Sequence, residues 1–113
     1  MIFVTTIFLL LVGHALADYP LQGDFLSRAK NERAPIPGVP WWQAMAAHCL
    51  IHAGVVYLVT GSIVLAALEF VIHGITDRAK CFGWIGFSTD QAIHVACKFL
   101  WAITVVYYSQ VLV

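Results

Sequence analysis

The five histidines of this chain are the residues best suited to chemistry, because each lies four residues from another histidine or from an acid. The sets are His14-x-x-x-Asp18, His48-x-x-x-His52, Glu69-x-x-x-His73-x-x-x-Asp77 and Asp90-x-x-x-His94. Four residues make about one helical turn, so each set projects from one face of a helix. Imidazole nitrogens and carboxylate oxygens bind divalent metal ions. The pattern therefore predicts a metal site.

Zinc is the ion expected for a set of histidines and carboxylates, with manganese and iron as alternatives. The donors are numerous enough for two ions. A bound ion would lower the pKa of a water molecule and so create a nucleophile. Glu69 and Asp90 are the candidate general bases, and Glu69 is also a candidate for orienting a ligand histidine. The predicted ligands are His14, Asp18, His48, His52, His73, Asp77, Asp90 and His94.

Two other interpretations of the same residues remain open. Histidine–carboxylate pairs can hold membrane helices together without a metal, and Lys98 could then meet Glu69 across the bundle. Alternatively, ionisable groups within apolar segments can conduct protons or ions.

Composition indicates a membrane protein. Of the 113 residues, 61% are hydrophobic and 11% are charged, whereas a soluble domain is about half apolar and about one quarter charged. The formal net charge is zero and no basic stripe occurs, which argues against binding of nucleic acid. The three cysteines lack CxxC spacing, which argues against a disulfide framework or a thiolate zinc site.

The predicted fold is a single all-α membrane domain over residues 1–113, built as a bundle of four short transmembrane helices. The spans are expected at about 2–17, 44–60, 62–77 and 91–112, where apolar residues approach the length needed to cross a bilayer. Residues 18–43 form a surface connection in which Phe25–Arg33 could be a short helix. Thr60-Gly61-Ser62 is the expected turn between the second and third spans.

Basic residues predict the orientation in the membrane. Outside the spans they lie in the first and third connections, so the positive-inside rule places these connections in the cytoplasm and both termini outside. The histidine sets then share one level near the cytoplasmic face of the inner membrane. Ala15-Leu16-Ala17 resembles a signal-peptidase site, but no Lys or Arg precedes it, so we expect residues 1–17 to be retained.

The order of the polar sets resembles the DUF3307 family of small membrane proteins from bacteria and phages. The resemblance spans nearly the whole chain and implies an architecture rather than an activity. The spacing is also similar in style to membrane proteins described as metal-dependent hydrolases. The matching segments are Gly13–Asp24, His48–His52, Glu69-x-x-Ile72-His73-x-x-Thr76-Asp77-x-x-Lys80 and Asp90-Gln91-x-x-His94.

The function expected from these observations is metal binding in the membrane. Its finer form is a metal-dependent hydrolase acting on a lipid or another small molecule at the cytoplasmic membrane surface. The alternative is a small ion-conducting, proton-conducting, transport or holin-like protein that works as a homo-oligomer. A third class is an interaction protein that docks a cytoplasmic partner through Phe25–Arg33.

Overall fold

The computed structural model describes the backbone of residues 1–111 and the side chains of residues 1–109. Within these residues it contains five helices and no strand, so the all-α prediction is confirmed. The helices are α1 (Ile2–Asp18), α2 (Gly23–Ala29), α3 (Trp41–Thr60), α4 (Ile63–Cys81) and α5 (Phe87–Val111). The four predicted spans each overlap one of the long helices α1, α3, α4 and α5, and residue 112 of the fourth lies outside the described residues.

Local sequence explains the hairpin formed by α3 and α4. Pro40 precedes α3 with a φ of −66°, a value that suits entry into a helix. Gly61 ends α3 in the left-handed conformation, with a φ of 70°, where a residue without a Cβ is favoured. The Ser62 hydroxyl then accepts a hydrogen bond from the backbone N–H of Leu65 (3.2 Å) and caps α4. The predicted turn at residues 60–62 is therefore present.

The connection between α1 and α3 contains the short surface helix α2. Gly23 begins this helix with a φ of 61°, and the axis of α2 is bent by 81° from that of α1. The observed helix covers Gly23–Ala29 rather than the predicted Phe25–Arg33. Five of its seven residues are exposed, and Ala29 at its end is buried. Helix α2 is therefore attached to the bundle mainly through its C-terminal end.

The long helices pack into a bundle with two different ends. Helix α3 packs on α4 and α1, and α5 packs on α1 and α4. One half of the bundle holds an apolar core, while the other half holds the histidine sets. The core consists of Ile7, Leu10, Val56, Leu65, Trp101 and Ala102.

The number of membrane spans differs from the prediction. Among the described residues, α3 and α5 are long and apolar enough to cross a membrane, and α1 with α2 would make a third span if the bent pair is counted as one. The prediction of four spans was therefore wrong. Helix α1 has only 17 residues, short of the ~20 that a span usually needs. Helix α4 carries four charged side chains, which are Glu69, Asp77, Arg78 and Lys80.

Candidate metal centre

Four helices bring all five histidines into one cluster. Helices α1 and α4 contribute their C-terminal halves, α5 contributes its N-terminal part, and α3 contributes its middle, where His48 and His52 lie. Every histidine is at most 5% exposed. Ring centroids of neighbouring histidines lie between 3.7 and 5.5 Å apart, as in the pairs His52–His73 and His14–His94. Side chains from distant parts of the sequence thus share a single buried cluster.

Four ligand atoms within this pocket converge closely. They are the Nε2 atoms of His48, His52 and His73 and a carboxylate oxygen of Asp18, and all lie within 4.8 Å of one another. The Asp18 Oδ1 atom is 2.8 Å from His52 Nε2, 3.5 Å from His48 Nε2 and 4.0 Å from His73 Nε2. The Nε2 atoms of His48 and His73 are 3.0 Å apart. Bonds of ~2.0–2.1 Å in a tetrahedral zinc site separate ligand atoms by about 3.4 Å, so these distances bracket the required spacing.

Glu69 lies next to this group and has partners on both carboxylate oxygens. Its Oε1 atom accepts a hydrogen bond from Lys98 Nζ (2.6 Å) and is 3.4 Å from His73 Nδ1. Its Oε2 atom accepts a hydrogen bond from Trp101 Nε1 (2.7 Å). A carboxylate that faces the far nitrogen of a ligand histidine fixes the orientation of that ring. The position of Glu69 therefore fits orientation of His73 better than proton transfer to or from a water molecule.

Asp77 is paired with two lysines. Its Oδ2 atom accepts a hydrogen bond from Lys30 and lies 3.4 Å from His48 Nε2. Its Oδ1 atom is 2.8 Å from Lys80 Nζ. Burial lowers the pKa of Lys80, but the carboxylates of Asp77 and Asp90 outweigh this effect and raise the pKa above its ordinary value. Lys80 is consequently a stable positive charge beside the cluster.

The remaining predicted ligands border the four-atom group. His94 Nε2 is 3.1 Å from Asp90 Oδ1, and the His94 ring stacks on His73 at 4.0 Å. His14 Nε2 is 3.0 Å from Gln91 Oε1. Gln91 Nε2 donates a hydrogen bond to Asp18 Oδ2 (2.8 Å) and so holds the oxygen that faces away from the group. These residues surround the four candidate ligand atoms and are not part of that group.

Sequence reasoning missed the roles of two residues. Lys30 counted only among the basic residues that set the orientation, but it is 2% exposed and contacts Asp77 and Gln22. It lies in a connection, where no helical spacing could relate it to the histidines. Trp101 belonged only to the predicted fourth span, although Lys98, three residues before it, indicates a polar face in that segment.

The cluster contains more negatively charged than positively charged side chains. Four carboxylates meet three ammonium groups, so the cluster carries one net negative charge when its imidazoles are neutral. A buried charge without compensation is costly. One protonated imidazole or a monovalent cation would make the cluster neutral, whereas a divalent ion would change its net charge to plus one. The carboxylates are Asp18, Glu69, Asp77 and Asp90, and the lysines are Lys30, Lys80 and Lys98.

Comparison with known proteins gives the family of the chain. No curated protein and no solved structure matches it. A family model does match residues 6–113, which is nearly the whole sequence. On this match, and in agreement with the order of its polar sets, the chain belongs to the family described as "Protein of unknown function (DUF3307)".

Proposed function

We propose that this protein binds one divalent metal ion, zinc, in a membrane-embedded site. The observation that carries the proposal is the convergence of three Nε2 atoms and one Asp18 oxygen within 4.8 Å. Three imidazoles and a carboxylate form a donor set that zinc prefers. Glu69, which is itself anchored by Lys98 and Trp101, holds a carboxylate oxygen 3.4 Å from His73 Nδ1, the side of the ring where a ligand histidine commonly meets an outer partner.

Charge favours one ion over two. A single divalent ion changes the net charge of the cluster from minus one to plus one, and a bound hydroxide would make it neutral. A second ion would leave several positive charges in a pocket that already contains buried ammonium groups. Lys30 and Lys80 compensate Asp77 and Asp90, which would otherwise be available to a second ion.

The finer proposal is a metal-dependent hydrolase at the cytoplasmic membrane surface. Catalytic zinc sites keep one coordination position for water, whereas sites with four protein ligands are closed. Hydrolysis would thus require Asp18 to leave the ion. Asp18 is the ligand best placed to do so, because its side chain is 10% exposed and its second oxygen already has a partner in Gln91.

The second candidate function is passage of ions across the membrane. One observation that favours it is the set of four protein ligands, because such a set can hold a transported ion as well as a permanently bound one. It is also favoured by the stack of His52, His73 and His94, whose rings are 3.7 and 4.0 Å apart and reach from the candidate ligands to Asp90. In either case we propose that the site lies near the cytoplasmic face of the inner membrane, with both termini outside.

Metal analysis tests the shared proposal. The protein would be purified in detergent without added metal, and the bound elements measured by mass spectrometry. We expect about one zinc ion per chain, and at least a tenfold lower content in His52→Ala. Anomalous scattering from crystals would place the ion. A content near zero in the wild type, even after incubation with zinc, would overturn the proposal.

Two assays separate the candidates. Zinc-loaded protein in vesicles of bacterial lipid should generate new lipid products if it is a hydrolase, and lipid mass spectrometry would detect them. If it passes ions instead, vesicles should show proton or zinc flux that is lost in His73→Ala and Glu69→Gln. The same vesicle preparation serves both measurements, so differences in reconstitution cannot explain the outcome.

A further inference from the structure

We propose that Asp77 and His48 form an access position for the metal ion, and that the ammonium group of Lys30 occupies this position until an ion displaces it. This inference rests on the proposed metal site. It adds a route by which an ion reaches a pocket whose three ligand histidines are at most 1% exposed.

His48 connects the two positions. Its Nε2 atom is 3.4 Å from Asp77 Oδ2 on one side. The same atom is 3.5 Å from Asp18 Oδ1 and 3.0 Å from His73 Nε2 on the other. An ion held by Asp77 and His48 could therefore reach the four-atom group by exchanging one carboxylate for another around a single imidazole.

Lys30 holds the place of a cation at the access position. Its ammonium group donates hydrogen bonds to Asp77 Oδ2, the oxygen that faces His48, and to Gln22 Oε1. It neutralises the carboxylate as a divalent ion would. An arriving ion must consequently displace Lys30 before Asp77 can bind it.

Helix α2 gives Lys30 the freedom to leave. The helix has seven residues, of which five are exposed, and it begins with Gly23 in a left-handed conformation. Only Ala29 and Lys30 at its end are buried. Segments with few buried contacts open at low free-energy cost. Withdrawal of Lys30 therefore needs movement of α2 and of the segment after it, which Glu32 joins to Arg78 of α4 over 2.6 Å, rather than separation of the long helices.

Lys80 provides the matched control. It contacts the same carboxylate, but through Oδ1, and it also lies 3.5 Å from Asp90 Oδ2. Replacing either lysine by methionine removes one positive charge from the cluster. Only the replacement of Lys30 frees the oxygen that faces His48. The pair therefore separates displacement at the access position from a general change in charge.

Exchange kinetics test the inference. Zinc dissociation from Lys30→Met, Lys80→Met and wild type in detergent would be followed by stopped flow with a chromogenic chelator. We expect dissociation to be about tenfold faster in Lys30→Met and within about threefold of wild type in Lys80→Met. Equal acceleration in both variants, or none in Lys30→Met, would overturn the inference.

A second variant covers failure of Lys30→Met to fold. Asp77→Asn removes the charge of the access ligand while the four-atom group stays intact, so zinc association should slow by about tenfold with one ion still bound at equilibrium. Unchanged association would also overturn the inference. If wild-type protein binds no zinc, the proposed function itself fails. If wild-type protein binds zinc and the variants exchange it normally, only the access position is wrong.

Discussion

The two ends of the bundle are held together in different ways. At the polar end, buried ionic and hydrogen-bonded side chains from four helices contact one another over 2.6–3.5 Å, as Lys98, Glu69 and Trp101 do. At the apolar end, residues of α4 and α5, among them Leu68 and Val105, line a cavity of about 730 Å³. The polar end is thus the more closely connected half, although its side chains are the more costly to bury.

This difference is what a lipid environment would produce. Apolar side chains gain little by exchanging lipid for another helix, so packing there depends on shape alone. Carboxylates and ammonium groups find no partners in lipid and must pair within the protein. The polar end therefore selects which helix faces meet, and the apolar end can remain loosely packed.

The largest effect is expected at Glu69. Glu69→Ala removes the partner of Lys98, which is 1% exposed, and leaves Trp101 without its acceptor. An uncompensated buried charge should lower the free energy of unfolding in detergent by about 3–5 kcal/mol. Denaturant titration followed by circular dichroism would measure it.

The double variant Glu69→Ala/Lys98→Met is the control for that prediction. Removal of both charges should restore much of the lost stability, because no ammonium group then remains unpaired. A double variant as unstable as the single one would show that Glu69 contributes by packing rather than by charge.

The second-largest effect is expected from removal of the metal ion at the polar end. If zinc is present at about 100 times its dissociation constant, a chelator should lower the free energy of unfolding by about 2.7 kcal/mol. Asp18→Asn, which weakens one of the four ligands, should show a smaller drop on addition of the same chelator. Equal drops in the two proteins would indicate that the chelator acts elsewhere.

Two glycines, Gly13 of α1 and Gly54 of α3, test how closely the helices pack. A Cβ at Gly13 would lie 2.1 Å from Val55 Cγ1, whereas a Cβ at Gly54 would meet no atom within 4 Å. Gly13→Ala should therefore cost about 1–3 kcal/mol by forcing the helices apart. Gly54→Ala should be neutral or slightly stabilising, because alanine favours the helix. Thermal unfolding of both variants would test this, and equal effects would contradict it.

The smallest effect is expected at the cavity. Leu68 lines it and is 43% exposed. Leu68→Ala should change the free energy of unfolding by no more than about 0.5 kcal/mol, because lipid can replace the lost contacts. A loss as large as that of Gly13→Ala would show that the apolar end is more closely packed in the membrane than the cavity indicates.

Sequence spacing predicted the convergence of the histidines because helical periodicity is a local property. His48 and His52, one turn apart within one helix, project from the same face of that helix. The close approach of α1 to α3 at Gly13, where an added Cβ would lie 2.1 Å from Val55 Cγ1, depends instead on tertiary packing.

Pairing across the bundle could not be predicted in this way. Local spacing indicates eight candidate ligands and cannot rank them. Only tertiary contacts distinguish His52, which lies 2.8 Å from Asp18, and His94, which lies 3.1 Å from Asp90. Lys30 enters the cluster from a surface connection, so only the folded chain reveals it. The span count failed because apolar content was given more weight than the charges of α4.

Trp101 gives the protein a fluorescent reporter between its two ends. Its indole is 3% exposed, borders the cavity and bonds through Nε1 to the carboxylate that faces His73. The other tryptophans lie near the surface, with Trp42 and Trp84 58% and 74% exposed. Trp101 is therefore the tryptophan most shielded from the surroundings of the protein. A change in its intensity on loading with zinc would report occupancy in unlabelled protein, and quenching by brominated lipid would report what fills the gap on its other side.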